Sequence, residues 1–405
     1  MLTNIDEISE EIDKSELQAA LSSLQNKLYM LCLSSNKEDY VYDNDGEFFT
    51  HIHIPIPNAT KRYQLFCDFA VKTEYEEEMP LHEFANKYRF TLGQIKQAVE
   101  NAEALANLNE SKITGAELQQ SCSSLINNGL GNRASLIKTT FELDDVILPP
   151  AQKRQLLFAC GQIRNQHIVY DDWGYGKHIS YGRGTSLLLY GPPGTGKTMA
   201  AGAIANNLGL ELYRVDISKI VDKYIGETEK NIGEIFDRAK QCSVVLFFDE
   251  ADALFSKRSE VGSSNDRHAN METGFLLQCV EDYDGISILA TNYKQNIDPA
   301  FLRRIKFTVE FPAPQADIRR TLWIKSFPKE SPLDKTVDFD FLSERFELSG
   351  GNIKNIAVNS AFYAAEHGSM IGMEAIVNCI YAELQKNHMV TDSSYFAQYS
   401  TFLQL

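Results

Sequence analysis

The stretch Gly191-Pro-Pro-Gly-Thr-Gly-Lys-Thr198 decides the fold of this 405-residue chain. The short apolar run Leu187-Leu-Leu-Tyr190 precedes it and predicts a buried parallel strand, and residues 199–208 read as a helix. A glycine-rich loop between a strand and a helix lets backbone N–H groups close around phosphate oxygens, and the helix N-terminus adds a favourable dipole. The order of these elements predicts a phosphate-binding loop rather than an ordinary glycine turn.

This loop and its flanks supply ligands for a nucleotide and a metal ion. Lys197 can reach the outer phosphates, and the Thr198 hydroxyl can ligate Mg²⁺. The chain is therefore expected to bind ATP with Mg²⁺. The residues expected to contact the nucleotide are Gly191, Pro192, Pro193, Gly194, Thr195, Gly196, Lys197, Thr198, Met199 and Asp249.

A second apolar strand is expected to end in carboxylates. Residues 244–248 are wholly apolar, and Asp249 and Glu250 follow them directly. Asp249 is expected to hold the hydration shell of Mg²⁺, and Glu250 to polarise the attacking water as a general base. A helix N-cap is the alternative use of an Asp. Two carboxylates after a buried strand, downstream of a phosphate loop, favour the catalytic interpretation.

A third strand and a short basic segment complete the candidate site. Residues 286–291 predict a strand that ends in Asn292, whose amide can orient the water near the terminal phosphate. Arg303 and Arg304 follow, and either suits an arginine finger that stabilises transition-state charge in a neighbouring subunit. The alternatives are a turn residue for Asn292 and a solvated basic turn for the arginines.

Together these motifs resemble the AAA+ ATPases, in the subfamily with an aromatic pore loop, over residues 140–388. The resemblance makes the loop a Walker A motif, residues 244–250 a Walker B motif, and Asn292 sensor 1. It implies ATP hydrolysis by a homo-oligomer, a hexameric ring, acting on a protein substrate. It places a substrate-gripping pore loop at Lys223, Tyr224, Ile225 and Gly226.

Three further resemblances point to particular segments or to one subgroup of this family. Residues 143–148 resemble the segment that borders the adenine, and residues 348–355 resemble the lid turn beside base and sugar. A sensor 2 arginine is not apparent, and Lys354 is the candidate substitute, with a solvent-facing lysine as the alternative. The phrases KYIGETEKN (223–231), FFDEADALFSKRSEV (247–261) and ELSGGNIKN (347–355) resemble the AAA ATPases that accompany contractile injection systems, the phage-tail-like machines.

The chain also contains an internal repeat. Ile95 and Ile353 align 258 positions apart (353 less 95), and Ile113 and Ile371 align at the same spacing. Residues 16–130 therefore resemble the back half of a second AAA module, a strand pair and a helical lid, without a phosphate loop or an acidic strand. This half is expected to bind no nucleotide. A winged-helix-like adaptor and chance likeness between amphipathic helices are the alternatives.

The expected architecture is a parallel α/β domain with a C-terminal helical lid, preceded by a mainly helical domain that resembles a degenerate half-module. The expected boundaries are 1–135 for the helical domain, 136–315 for the ATPase core, 316–388 for the lid and 389–405 for a loosely held tail.

The composition limits which partners and which compartment are expected for the chain. The formal net charge is −16, which argues against bulk binding of nucleic acid. Seven cysteines without a CxxC pair fit a reducing cytoplasm, and no apolar run is long enough to cross a bilayer. The expected protein is cytosolic.

Three functions remain open at this point. The first is an oligomeric ATPase that remodels or threads a protein. The second is a nucleotide-switched scaffold factor of a phage-tail-like machine with slow turnover. A nucleic-acid translocase is the third and the least supported, because only Lys219 and Lys223 lie near the expected pore loop.

Overall fold

The structure, a computed structural model, describes residues 54–70, 79–109, 111–130, 133–166, 168–178, 184–220, 227–240, 244–251, 274–386 and 393–403, with the isolated positions 23, 52, 75, 76 and 242. The chain divides into two units, residues 1–56 and residues 57–405, and nearly all described residues belong to the second. In these ranges no helix is both long enough and apolar enough to cross a membrane.

Among the described residues, a six-stranded sheet forms the centre of the second unit. Its spatial order is β1-β3-β4-β5-β2-β6; β1 is antiparallel to β3, and the other neighbouring pairs are parallel. Every side chain of β4 and β5 is buried, as consecutive apolar residues predict for strands covered on both faces. The strands are β1 (Ala134–Ile137), β2 (Thr185–Tyr190), β3 (Glu211–Val215), β4 (Val244–Phe248), β5 (Ile286–Thr291) and β6 (Phe307–Glu310).

The strand order brings the polar strand ends together. β2 lies between β5 and β6, and β4 lies on the other side of β5. Because these strands are parallel, their carboxyl ends share one edge of the sheet, the edge where ligands bind in such folds. The expected boundary at residue 135 falls inside β1, which joins the core because Ala134 pairs with Val215.

Helices cover both faces of the sheet. On one face lie α5 (Pro150–Arg164) and α6 (Lys197–Asn207), whose alanines at 200, 201 and 203 are fully buried and allow a close approach. On the other face lies α7 (Glu227–Lys240), together with the helical residues 274–282. The short helix α8 (Pro299–Leu302) leads into β6.

Among the described residues, two bundles of four helices each flank this core in the chain. The N-terminal bundle contains α1 (Ala59–Ala70), α2 (Leu81–Lys87), α3 (Leu92–Leu108) and α4 (Gly115–Leu130). The lid contains α9 (Ala316–Ser326), α10 (Phe339–Arg345), α11 (Gly350–Glu366) and α12 (Met373–Lys386). The last three helices of each bundle begin 258 positions apart (339 less 81), which is the spacing of the sequence repeat.

The two bundles also share their internal contacts. In each, one buried arginine donates from Nε to the second helix at 2.8 Å: Arg62 to the Ala85 carbonyl, and Arg319 to the Ser343 carbonyl. The Nη1 of each arginine donates to the carbonyl of the proline five residues before it. Matching parallel bridges then join Tyr75 to Ile113 and Leu333 to Ile371. The repeat in the sequence is thus a repeat of structure over the described residues of 57–130 and over 314–386. Its earlier part, the expected strands before residue 54, lies outside the described ranges except at isolated positions.

The expected loose tail is wrong for residues 393–403. These residues form 3₁₀ turns that pack on α12, and Phe396 is fully buried in the lid core. The expectation rested on the polar residues just after 389. The aromatic residues Tyr395, Phe396 and Tyr399 follow them and provide enough apolar surface to hold the segment.

Candidate functional site

The phosphate loop joins β2 to α6 in a conformation that needs glycine. Gly191, Gly194 and Gly196 have φ values of 147°, 73° and 98°, which L side chains rarely adopt. Pro192, Pro193 and Gly194 are exposed at the tip of the loop. Gly196 is the N-cap of α6, and no side chain caps that helix, so its first N–H groups are available to an anion.

Gly191 provides the sharpest test of this loop. A Cβ at Gly191 would lie 2.0 Å from the Phe311 carbonyl oxygen, in a backbone conformation already unfavourable for alanine. We expect Gly191→Ala to destabilise the protein by about 2–4 kcal/mol, because strain and overpacking add. The measurement is thermal or urea unfolding. Gly161→Ala is the matched control, since Gly161 lies inside a helix with open space around it; equal melting temperatures for the two variants would contradict the loop geometry.

Lys197 connects the loop to the next strand. Its side chain is only 8% exposed, and Nζ donates to the carbonyls of Gly191 at 2.7 Å and Pro192 at 2.9 Å. The same Nζ donates to Asn292 Oδ1 at 2.8 Å. Two residues singled out separately in the sequence, 95 positions apart, therefore meet at the edge of the sheet.

Asp249 and Glu250 directly follow β4, the neighbour of β5 in the sheet. Asp249 Oδ1 accepts a hydrogen bond from the Glu250 backbone N–H at 3.1 Å, and the Glu250 side chain is exposed. Glu250 has φ of 54°, and a non-glycine residue in that region is uncommon and costs about 1–3 kcal/mol. Such strain is often found at functional sites, and here it occurs in the turn formed by residues 249 and 250 directly after β4.

Sequence reasoning missed Arg214. Its Nη2 lies 3.4 Å from Asp249 Oδ2, and both residues are at the carboxyl ends of neighbouring parallel strands. The Arg214 side chain is about half exposed, so the ion pair orients the carboxylate more than it stabilises the fold. The alternation of side chains in Glu211-Leu-Tyr-Arg-Val215 was the available signal for a strand that carries Arg214 near its end.

The lid closes over one side of the phosphate loop. The Gly351 N–H donates to the Gly194 carbonyl at 2.8 Å, and a Cβ at Gly194 would lie 2.6 Å from Ser349 Oγ. Between loop and lid is a cavity of about 310 Å³, a volume in the range of small-molecule sites. Its lining includes Pro192, Thr195, Arg319, Leu348, Ser349 and Asn352.

Arg303, Arg304 and Lys354 make no described contact with the phosphate loop. Arg303 and Arg304 are exposed after α8, and Arg304 Nη1 lies 3.2 Å from Glu281 Oε2. Lys354 is exposed, with Nζ 5.9 Å from the centre of the Phe141 ring rather than bonded to the phosphate loop. The expected pore loop, 223–226, lies outside the described residues.

The segment expected to border the adenine is anchored to α5. Leu143 and Val146 are buried, and Lys153 Nζ donates to the carbonyls of both residues. Burial lowers the pKa of Lys153 from its ordinary value. Lys325 of the lid donates to the Asp144 carbonyl at 3.0 Å, so the segment also contacts the lid.

The residues present suit a Mg²⁺ ion that is bound together with nucleotide phosphates. Within the described ranges no cluster of three or more His, Cys, Asp or Glu side chains forms a protein cage for a metal. Mg²⁺ in nucleotide sites commonly takes one or two protein oxygens, substrate phosphates and water. The Thr198 hydroxyl on the exposed start of α6 and the Asp249 carboxylate are oxygens of that kind.

Comparison with known proteins agrees with this geometry. The family model described as "ATPase family associated with various cellular activities (AAA)" matches residues 187–313. The chain contains an AAA ATPase domain. The matched part of this AAA domain begins in the phosphate-loop strand and ends just after β6.

Similar proteins include two with proteasome in their names. The proteasome-activating nucleotidase of Saccharolobus islandicus (strain Y.N.15.51) is 34% identical over 48% of this chain and 51% of its own length. The 26S proteasome subunit RPT4 of Saccharomyces cerevisiae is 37% identical over 44% and 42%. Cell division control protein 48 homolog C of Arabidopsis thaliana is 36% identical over 46% and 23%. The chain spans about half the length, or less, of these relatives.

Proposed function

We propose that this chain binds ATP with Mg²⁺ and hydrolyses it at the edge of the AAA sheet. The observation that carries the proposal is the Lys197–Asn292 contact, one strand away from Asp249 and Glu250. Transfer of a phosphoryl group to water requires a lysine and a polar amide at the terminal phosphate. It also requires carboxylates that hold the metal ion and activate the water.

Each residue has a distinct part in this proposal. The backbone of Gly191–Thr198 binds the phosphates, and Lys197 neutralises their charge. Mg²⁺ would be held by Thr198 and Asp249 and would draw charge from the phosphate oxygens. Glu250 accepts the proton of the attacking water, and Asn292 orients that water.

We also propose that the chain works as an oligomer on a protein substrate. Arg303 and Arg304 support the oligomer, because both guanidinium groups are exposed and neither is placed by a described contact at this chain's own phosphate loop. The names of two relatives refer to the proteasome, which supports a protein substrate. The resemblance noted in the sequence makes a hexameric ring the expected form.

The arginine role has a direct test. We expect Arg303→Ala or Arg304→Ala to lower turnover about 10³-fold with ATP affinity nearly unchanged, because a finger acts on the transition state of a neighbour. Turnover per chain of the unmodified protein should rise with protein concentration. Glu281→Gln is the control, since it removes only the ion pair of Arg304. Turnover unaffected by dilution and by both arginine variants would exclude a finger from another subunit.

A substitution at Tyr224 distinguishes a threading motor from a nucleotide-switched scaffold factor. We expect Tyr224→Ala to abolish ATP-dependent unfolding of a tagged test protein and to leave basal hydrolysis within about twofold. A threading motor needs an aromatic grip on the extended chain, whereas a nucleotide switch does not. The assay follows loss of fluorescence from a folded reporter, with Tyr63→Ala in the N-terminal bundle as a control. Equal reporter unfolding by Tyr224→Ala and unmodified protein would favour the switch.

The finer assignment to phage-tail-like machines rests on sequence phrases alone. The three relatives named above carry no such assignment. The absence of nucleotide binding in the N-terminal bundle is likewise a proposal, supported by the lack of a phosphate-loop sequence before residue 191.

A further inference from the structure

The hydrogen bond between the lid and the phosphate loop joins two glycines. The Gly351 N–H donates to the Gly194 carbonyl at 2.8 Å. A Cβ at Gly350 would lie 3.4 Å from the same carbonyl oxygen, and one at Gly351 would lie 3.3 Å from Gly194 Cα. Because backbone approaches backbone here, the geometry of the contact depends on what holds the first turn of α11 in place.

That first turn is intrinsically weak. Helix α11 begins with Gly350 and Gly351, and glycine is among the poorest helix formers. The N-cap residue Ser349 compensates in part, because its Oγ accepts a hydrogen bond from the Asn352 backbone N–H at 3.2 Å. The cap and the bond to Gly194 each satisfy an N–H group that the start of a helix leaves without an intrahelical partner.

A buried carboxylate on the neighbouring helix extends this cap. The Ser349 hydroxyl donates to Asn352 Oδ1, and Asn352 Nδ2 donates to Glu383 Oε1 of α12 at 2.8 Å. Glu383 is 8% exposed, and Lys386 Nζ lies 3.7 Å from its other carboxylate oxygen. Burying a carboxylate is costly, and an apolar residue of similar size would serve packing at least as well. We call the series Ser349, Asn352 and Glu383 the lid relay.

The N-terminal bundle has the same fold without this relay. The three positions that lie 258 residues before those of the lid relay (383 less 125) are Thr91, Gln94 and Leu125. Thr91 and Gln94 form a capping box, in which each side chain accepts from the backbone N–H of the other residue. Leu125 packs against the hydrophobic core of the bundle. The cap of α3 is therefore local, and the position that matches Glu383 is apolar.

This difference between the two bundles follows the phosphate loop. The chain has no phosphate-loop sequence before residue 191, whereas the lid contacts such a loop directly. A capping box would hold the start of α11 as it holds the start of α3, so helix capping alone does not account for the buried carboxylate. The relay instead connects the part of α11 that contacts Gly194 to the interior of the lid.

We propose that Glu383 is a positioning residue of the nucleotide site, which holds the first turn of α11 on Gly194 through Asn352 and Ser349. The carboxylate orients the Asn352 amide, and the amide orients the Ser349 hydroxyl. That hydroxyl lies so close to Gly194 that a Cβ there would be 2.6 Å from Ser349 Oγ. A loop already held in one conformation loses less freedom when phosphates bind, so the relay raises the affinity for ATP. The proposal rests on ATP binding at this loop, the function proposed above.

Two variants separate this role from helix capping. Glu383→Leu removes the carboxylate and copies the residue that the N-terminal bundle has at this position. The double variant Asn352→Gln/Glu383→Leu also gives α11 the capping box of α3, which should restore any stability lost in the first. Glu383→Gln is the conservative variant, because its amide oxygen still accepts from Asn352. Glu344→Leu, which removes an exposed carboxylate from α10, is the matched control.

The first test measures KM and kcat for ATP with Mg²⁺, together with thermal unfolding. We expect KM to rise about tenfold in both variants that carry Glu383→Leu, and kcat to stay within about twofold. The double variant should unfold within about 2 °C of the unmodified protein. Glu383→Gln should keep KM within about threefold of the unmodified value, and Glu344→Leu should leave it unchanged.

Hydrogen exchange gives a second measurement that needs no nucleotide. In the absence of ATP, the Gly351 N–H should exchange about tenfold faster in Glu383→Leu than in the unmodified protein, because its bond to Gly194 opens more often. The control Glu344→Leu should exchange at the unmodified rate.

Three results would overturn the proposal and leave the proposed function intact. The first is an equal KM for Glu383→Leu and Glu344→Leu. The second is a normal KM in the double variant, which would mean that the relay only caps the helix. The third is an unchanged exchange rate at Gly351 in Glu383→Leu. An unmodified protein that binds no ATP would instead remove the proposed function, and this proposal with it.

Discussion

Replacing Glu250 by glutamine is expected to lower ATP turnover by at least about 100-fold and to leave ATP affinity within about threefold. A general base contributes about 10²–10⁴-fold to such reactions. Glutamine keeps the size and position of the side chain, so only the ability to accept a proton is lost. The strained backbone at residue 250 should be retained, since glutamine adopts φ of 54° as readily as glutamate.

The measurement is steady-state phosphate release beside equilibrium binding of a fluorescent ATP analogue. Asp237→Asn is the matched control, because that carboxylate is 73% exposed on α7, away from the strand ends. A Glu250→Gln variant that keeps more than half of the turnover would remove the general-base role. Retained binding should also let this variant hold the assembled state for native mass measurement.

Replacing Lys197 by alanine is expected to weaken ATP binding about 10–100-fold. The reason is the loss of a charge-assisted hydrogen bond in a buried setting, which is worth about 1.5–3 kcal/mol. Because Nζ also bonds the carbonyls of Gly191 and Pro192 and the amide of Asn292, the variant should lose a little stability as well. Turnover at saturating ATP should fall together with affinity.

Isothermal titration with ATP and Mg²⁺ measures this effect, and thermal unfolding measures the change in stability. Lys230→Ala removes an exposed lysine from α7 and serves as the control. Unchanged affinity in Lys197→Ala would contradict the assignment of the loop to phosphate binding.

The central strands and the strand-end residues could be predicted from the sequence because their signals are local. β4 and β5 have the bounds that their apolar runs predicted, and β2 begins two residues earlier than its run. Lys197 and Asn292 were each expected near the outer phosphates, and the pairing of β2 with β5, which the sequence does not encode locally, places the two side chains in contact. The repeat was also visible, since a fixed spacing persists in sequence when two bundles share a core.

Other features depend on contacts that a single sequence does not encode locally. The pairing of Arg214 with Asp249 requires the register of β3 against β4, and the strand β1 is recognised only through its antiparallel partner. The C-terminal segment was mistaken for a tail because its aromatic residues have no helical or strand period. Their partners on α10 and α12 are distant in sequence, as Phe341 and Tyr399 illustrate.

The hydrogen bond from Gly351 to Gly194 has a mechanical consequence. It joins the first turn of α11 to the phosphate loop, and α11 is a helix of 17 residues, about 25 Å long. A tilt of about 10° at its attached end would displace its far end, near Glu366, by about 4 Å. A change at the phosphate loop that tilted this helix would therefore displace the far end of the lid more than the loop itself.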